Sequence, residues 1–156
     1  MELAAVAIAI GSNLGDRRAH LTWAVEQLAP HLADLRLSSV LETEPFDVPS
    51  PQPPYLNAVI VGDTRLAVDD LLRLLLDLER SRGRRRPSLR APRTLDLDLI
   101  FYDGLVVDTP ELTVPHPRFR ERRFVLAPLA EIAPGWQDPV SGKAVGELLA
   151  ELDRAS

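Results

Sequence analysis

The stretch AVAIAIGSN, residues 5–13, decides the fold from which the rest of the sequence is interpreted. Val6, Ile8 and Ile10 alternate with alanines, and this period of two predicts a central, buried strand. The apolar run is too short to cross a membrane, and no basic residue precedes it, so neither an anchor nor a leader is expected. The glycine-rich GSNLG that follows ends the strand.

Apolar periodicity and breaker residues divide the remaining chain into further elements. Helices are predicted over residues 16–29, 68–82, 122–129 and 145–152. Strands are predicted over residues 33–43, 55–63 and 94–102, followed by a hairpin that turns at Asp103-Gly104 and returns over 105–107. Loops are predicted over the proline-rich residues 44–54 and the arginine-rich residues 83–93.

The order strand, helix, strand, strand, helix, strand is the split βαβ pattern. We therefore predict an α+β, ferredoxin-like fold with helices packed on an antiparallel sheet. An added β-hairpin and C-terminal helices complete it, and residues 1–156 are expected to form a single domain.

The composition predicts a soluble, cytoplasmic protein that captures a small polyanion. The chain has 156 residues, no cysteine and a net charge of −5, yet seven of its 17 arginines fall between Arg80 and Arg93. An acidic chain with one arginine-dense segment is poorly suited to bind nucleic acid or a membrane. It suits a phosphorylated small molecule, because the planar guanidinium binds phosphate oxygens in pairs.

The motif RTLDLDLI, residues 93–100, carries the most specific chemical signal. On a strand its leucines at 95, 97 and 99 share the core face, and Asp96 and Asp98 project together from the other face. Adjacent carboxylates repel each other unless a cation lies between them. Because Mg²⁺ is often bound by one or two carboxylates plus substrate phosphates, the pair and the nearby arginines favour a metal–phosphate site over a solvated strand face.

Four stretches together resemble one known family: IAIGSNLGD, YLN at residues 55–57, PRTLDLDLIFYDG and LTVPHPRF. From about Val6 to Pro134 the chain is similar to the 6-hydroxymethyl-7,8-dihydropterin pyrophosphokinases. The resemblance implies a Mg²⁺-dependent enzyme of folate biosynthesis that transfers pyrophosphate from ATP to the hydroxymethyl group of the dihydropterin and releases AMP. We expect a monomer that binds neither nucleic acid nor a membrane.

The resemblance also implies roles for residues at the nucleotide end of the site. Asp96 and Asp98 would hold two Mg²⁺ ions that bridge the ATP phosphates, while Arg84 and Arg93 would stabilise charge on the transferred group. Further contacts with the nucleotide are implied for Arg86, His116 and Arg122. No role is assigned to Arg118, Arg120 and Arg123.

The pterin, a flat aromatic ring with an amide-like edge, needs stacking surfaces and a polar partner. The resemblance places around it Thr43, Pro45, Phe46, Tyr55, Asn57 and Phe124. The chain departs from the family just before PRTLDLD, where Arg90-Ala91 replaces the usual aromatic–glycine pair and the loop is about one residue shorter. Either one stacking wall is missing, or the guanidinium of Arg90 stacks in its place.

Three other functions are compatible with parts of this pattern. The first is a non-catalytic ferredoxin-like module that binds or senses a nucleotide, which the retained aspartate pair and Arg84 and Arg93 argue against. The second is a nucleic-acid-binding domain built on the arginine cluster, which the acidic net charge disfavours. The third is a neighbouring pterin enzyme such as the aldolase of the same pathway, which would need neither paired metal carboxylates nor ATP.

Overall fold

The predicted central strand lies inside a five-stranded antiparallel sheet, between the fourth and fifth strands of the chain. The computed structural model describes residues 2–43, 54–82 and 94–155. Its strands are β1 (Ala4–Ser12), β2 (Ala33–Leu37), β3 (Leu41–Thr43), β4 (Tyr55–Thr64), β5 (Asp96–Tyr102), β6 (Val107–Asp108) and β7 (Thr113–Val114). Its α-helices are α1 (Arg17–Leu28), α2 (Val68–Ser81), α3 (Arg123–Ile132) and α4 (Val145–Ala155).

The strand order β2-β4-β1-β5 confirms the ferredoxin-like prediction. Each βαβ unit is split, because β4 lies between β1 and β2, and β1 lies between β4 and β5. The predicted start of α1 is also confirmed, since the Asp16 carboxylate accepts a hydrogen bond from the Ala19 N–H at 3.1 Å and caps the helix.

Both faces of the sheet are covered by helices. One apolar cluster joins the sheet to α1 and α2 and contains the three leucines of the LDLDL stretch, so their predicted core face is confirmed. A second cluster joins the opposite face to α3 and α4 around Phe101 and Phe119. The face from which the two aspartates project therefore packs against α3 and α4 further along the sheet, whereas Asp96 and Asp98 themselves are only partly buried.

The prediction of one continuous strand over residues 33–43 is wrong. Leu37 pairs with Ile60 and Leu41 pairs with Asn57, so three residues of this segment oppose two residues of β4. The extra residue forms a bulge that separates β2 from β3. Ser38 stabilises it, because its N–H donates to the Val59 carbonyl at 3.0 Å and its hydroxyl accepts from the Val59 N–H at 2.8 Å.

The prediction that the chain returns along β5 in a hairpin is wrong. The chain does turn at Asp103, whose φ is 48°, but β6 pairs with β7 in a separate two-stranded sheet rather than returning along β5. Asp103 is held against β1 instead: its N–H donates to the Ala5 carbonyl at 2.6 Å, and its carboxylate accepts from the Ala5 N–H at 2.7 Å.

Some predicted boundaries shift by a few residues. The strand predicted from residue 94 begins at Asp96, and the helices predicted over 122–129 and 145–152 extend to Ile132 and Ala155. Within the described residues, no helix is long and apolar enough to span a membrane.

Candidate active site

The strand β5 presents Asp96 and Asp98 to a cavity of about 720 Å³. Both side chains are partly buried, whereas the leucines that alternate with them are buried in the core on the other face. The alternation of a strand thus aims two neighbouring carboxylates at one volume, as the sequence predicts. The volume lies within the range of small-ligand sites.

The backbone between the two aspartates is fixed from the side by helix α2. The carboxylate of Glu79, 3% exposed, accepts a hydrogen bond from the Leu97 N–H at 2.7 Å. Because β5 is an edge strand of the described sheet, this bond supplies a partner for a backbone group that faces away from β1. Glu79 therefore holds the segment that carries both carboxylates.

His116 reaches the cavity through the segment that follows β7. The backbone N–H of His116 donates a hydrogen bond to the Ile100 carbonyl at 3.1 Å, which holds the segment alongside β5. The imidazole Nδ1 accepts a hydrogen bond from the backbone N–H of Arg118 at 3.1 Å. Burial, and after it the charge of Arg122, lowers the pKa of His116 to about 4. The ring is therefore neutral at pH 7, and with Nδ1 accepting, its proton lies on Nε2.

Two guanidinium groups face the same cavity. Arg122 immediately precedes α3, and its guanidinium carbon lies 5.7 Å from the centre of the Phe124 ring. Arg118 lies two residues after His116 and also lines the cavity, together with the carboxylate of Glu121. Acidic and basic side chains thus meet in one partly enclosed volume, an arrangement suited to a polyanion and its counterions.

Another part of the cavity lining is polar but neutral. The Asn57 side-chain N–H donates to the Thr43 hydroxyl at 2.8 Å, and Tyr55 lies beside them at the start of β4. Asn57 is only 7% exposed. A methyl group placed on Gly11 would lie 3.1 Å from the Asn57 amide oxygen. The Asn57 amide can therefore occupy this space because Gly11 has no side chain.

The structure brings together eight of the residues singled out in the sequence. These are Thr43, Tyr55, Asn57, Asp96, Asp98, His116, Arg122 and Phe124. The others lie outside the described residues: Pro45, Phe46, Arg84, Arg86, Arg90 and Arg93. Among the other lining residues, the glycine Gly11 and the charged residues Arg118 and Glu121 went without a site role in the sequence. The glycine has a local signal in GSNLG, but nothing in the sequence separates Arg118 from its neighbouring arginines.

The side chains present fit Mg²⁺ bound together with a phosphorylated ligand. No cluster of three or more His, Cys, Asp or Glu side chains occurs in the described parts of the chain, so these residues build no closed protein cage for a metal. A pair of carboxylates at the edge of a cavity matches the way Mg²⁺ is held between protein and substrate phosphates. The fold and cavity define a class: a ferredoxin-like α+β protein with a site suited to a phosphorylated ligand and its Mg²⁺.

Comparison with known proteins narrows this class to a family. The family model described as 7,8-dihydro-6-hydroxymethylpterin-pyrophosphokinase (HPPK) matches residues 7–134. A protein of Methylorubrum extorquens named 2-amino-4-hydroxy-6-hydroxymethyldihydropteridine pyrophosphokinase is 40% identical over 148 residues, which cover 94% of this chain and 92% of that protein. A protein of the same name from Bacillus subtilis is 43% identical over 127 residues, 80% of this chain and 75% of that protein.

The chain therefore belongs to the 7,8-dihydro-6-hydroxymethylpterin-pyrophosphokinase family. It is a pyrophosphokinase of folate biosynthesis, as the sequence motifs predict. Enzymes of this family use ATP and Mg²⁺.

Solved structures agree on the fold. A chain described as HPPK-DHPS in complex with substrates superposes with a TM-score of 0.80 at 11% identity, over 99% of this chain and 44% of that chain. A Plasmodium falciparum HPPK-DHPS chain gives a TM-score of 0.77 at 12% identity, over 96% of this chain and 45% of that one. This chain spans less than half the length of these solved chains, and the likeness concerns the fold alone.

Proposed function

We propose that the cavity beside β5 is the active site, and that Asp96 and Asp98 hold two Mg²⁺ ions there together with ATP. The supporting observation is that both carboxylates project from one face of β5 into the cavity that His116 and Arg122 also line. When bound, the Mg²⁺ ions neutralise phosphate charge and acidify the attacking hydroxyl group.

At the nucleotide end, neutral and cationic donors face the triphosphate. His116 donates a hydrogen bond from Nε2 to a phosphate or ribose oxygen, because its Nδ1 is engaged by the Arg118 N–H. Arg122 offers a guanidinium, which pairs well with phosphate oxygens. Neither residue acts as a general base. The basic Nδ1 of the imidazole already accepts a hydrogen bond, and the guanidinium is always protonated.

At the other end, Asn57, Thr43, Tyr55 and Phe124 bind the dihydropterin. The Asn57–Thr43 hydrogen bond orients the amide so that it presents a fixed polar edge to the ring. The Phe124 ring supplies a stacking surface. The pterin hydroxymethyl oxygen then attacks the β-phosphorus and its proton passes to solvent water. The bond from that phosphorus to the α-phosphate oxygen breaks, and AMP leaves with that oxygen.

The remaining assignments rest on the family resemblance. Arg84 and Arg93 stabilise charge on the transferred group, Arg86 contacts a phosphate, and Pro45 and Phe46 cover the pterin. All five residues lie outside the described residues. We also propose that the protein is a cytoplasmic monomer and that residues 1–156 form one pyrophosphokinase domain.

The test is an assay of AMP formation with purified protein. AMP should appear only when ATP, Mg²⁺ and 6-hydroxymethyl-7,8-dihydropterin are all present. The metal count is measured separately by Mn²⁺ binding in the presence of an ATP analogue that cannot be cleaved between its α- and β-phosphates. Two Mn²⁺ ions bound per chain at saturation support the proposal, and one ion per chain contradicts the metal count. AMP formation in the absence of the pterin contradicts the proposed reaction.

A further inference from the structure

Four arginines lie within residues 118–123, and the structure separates them into two pairs. Arg120 forms a two-pronged ion pair with Asp138, with Nε 2.6 Å from Oδ2 and Nη2 2.8 Å from Oδ1. Arg123 is engaged by Asp153, with Nε 2.9 Å from Oδ1. The charges of these two arginines are therefore neutralised within the protein, and both lie outside the lining of the cavity.

Arg118 and Arg122 are different, because both line the cavity and neither has a carboxylate within 4 Å in the described part of the chain. An arginine without an internal counterion keeps its full field for an incoming anion. Arg122 already has a proposed nucleotide contact. Arg118 also lines the cavity and likewise has no carboxylate partner among the described residues.

The position of Arg118 is tied to His116 by the backbone. The Arg118 N–H is the donor that engages His116 Nδ1. The charge of Arg118 is close enough to the imidazole to contribute to the lowered pKa of His116, alongside burial and Arg122. The guanidinium of Arg118 is thus in electrostatic range of the group that faces the nucleotide.

We propose that Arg118 is a further nucleotide-binding residue, whose exposed guanidinium at the rim of the cavity attracts and holds the triphosphate of Mg·ATP. This inference rests on the proposed location of the nucleotide beside Asp96 and Asp98. Because Arg118 is exposed, it acts on the capture of the nucleotide and on its salt dependence rather than on the transition state.

The test compares Arg118→Gln with Arg123→Gln, which removes the same charge five residues further along, outside the cavity. Binding of Mg²⁺ with an ATP analogue uncleavable between its α- and β-phosphates is measured by calorimetry at low and physiological salt. Arg118→Gln should weaken binding about three- to tenfold at low salt and less at high salt, the size expected for one exposed charge-assisted contact. In turnover, KM for ATP should rise by a larger factor than kcat falls.

The outcomes separate this inference from the proposed function. If Arg118→Gln binds the ATP analogue as tightly as wild type, or if Arg123→Gln loses as much affinity as Arg118→Gln, the role of Arg118 is overturned. AMP formation by the wild-type protein upholds the active site in either case. Arg118→Lys should recover part of the affinity at low salt, and a Lys variant as weak as the Gln variant overturns an electrostatic role. If wild-type protein forms no AMP with all three reactants, it is the proposed function that fails.

Discussion

Gly11 and Asn57 face each other across the pair of strands β1 and β4, so closely that a methyl group on Gly11 would lie 3.1 Å from the Asn57 amide oxygen. Asn57 has little room to withdraw, because it is 7% exposed and hydrogen-bonded to Thr43. The absence of a side chain at residue 11 is thus a condition for the orientation of the amide in the cavity.

Gly11→Ala should therefore weaken dihydropterin binding by about tenfold, since the added methyl group displaces the amide from its position. ATP binding should change less, because Asp98 and His116 are not touched. Equilibrium titration with each ligand measures both effects. Gly104→Ala is the control, since a methyl group there meets open space. Unchanged pterin affinity in Gly11→Ala would show that Asn57 does not contact the ring.

Asp96→Asn and Asp98→Asn should each lower kcat by about 100-fold or more, because an amide oxygen is a weaker Mg²⁺ ligand than a carboxylate. Folding should be retained, since both side chains face the cavity rather than either apolar cluster. AMP formation at saturating Mg²⁺ and thermal melting are the measurements, with Asp108→Asn on the exposed strand β6 as control. Near-normal turnover in both variants would remove the proposed metal site.

Glu79→Leu should lower the free energy of unfolding by about 2 kcal/mol, because it leaves the buried Leu97 N–H without its acceptor. Glu79→Gln keeps an acceptor oxygen at the same reach and should cost less. Urea denaturation measures both. In the same variants, the Mg²⁺ concentration for half-maximal activity should rise more for Leu than for Gln, because the strand between the aspartates loses its side support. Equal losses would mean that the hydrogen bond to Leu97 is not the stabilising contact.

The stability of the protein should rise between pH 4 and pH 6.5 in a way that depends on His116. The folded-state pKa of His116 is lowered to about 4 from an ordinary value of 6.5. In this window the unfolded chain therefore binds a proton that the folded protein does not, and stability is lost as the pH falls. His116→Gln should flatten this part of the curve, measured by urea denaturation at several pH values. His31→Gln controls for the loss of a histidine elsewhere, and curves parallel to wild type would contradict the prediction.

Breaking the Arg120–Asp138 pair should destabilise the fold by about 3 kcal/mol, because Asp138 is fully buried. Burial acts to raise the pKa of Asp138, but hydrogen bonds from Arg120, Ser141 and the Val140 N–H outweigh it and lower the pKa to about 2. The contribution is thus present above pH 3.8 and lost as the pH falls through 2.

Asp138→Asn tests this pair against Asp153→Asn, which breaks the exposed pair with Arg123. The exposed pair should contribute less than about 1 kcal/mol. Thermal or urea unfolding at neutral pH measures both variants. Similar losses would mean that burial does not distinguish the two ion pairs.

The sequence by itself determined the order of elements, the identity of the central strand and the common face of Asp96 and Asp98. Each of these follows from local periodicity, because a strand alternates its side chains whatever lies around it. The motifs around residues 11–15, 55–57, 93–100 and 112–119 also sufficed to indicate the family.

Only the tertiary structure decided where strands break and which arginines are available to a ligand. The bulge at Ser38–Val40 depends on hydrogen bonds with Val59 on another strand, and β6 pairs with β7 rather than with β5. Arg118, Arg120 and Arg123 are chemically identical in the sequence. They differ because Asp138 and Asp153, 18 and 30 residues from their partners, neutralise two of them and leave the third at the cavity. Charge pairing depends on distance in space, which local patterns do not contain.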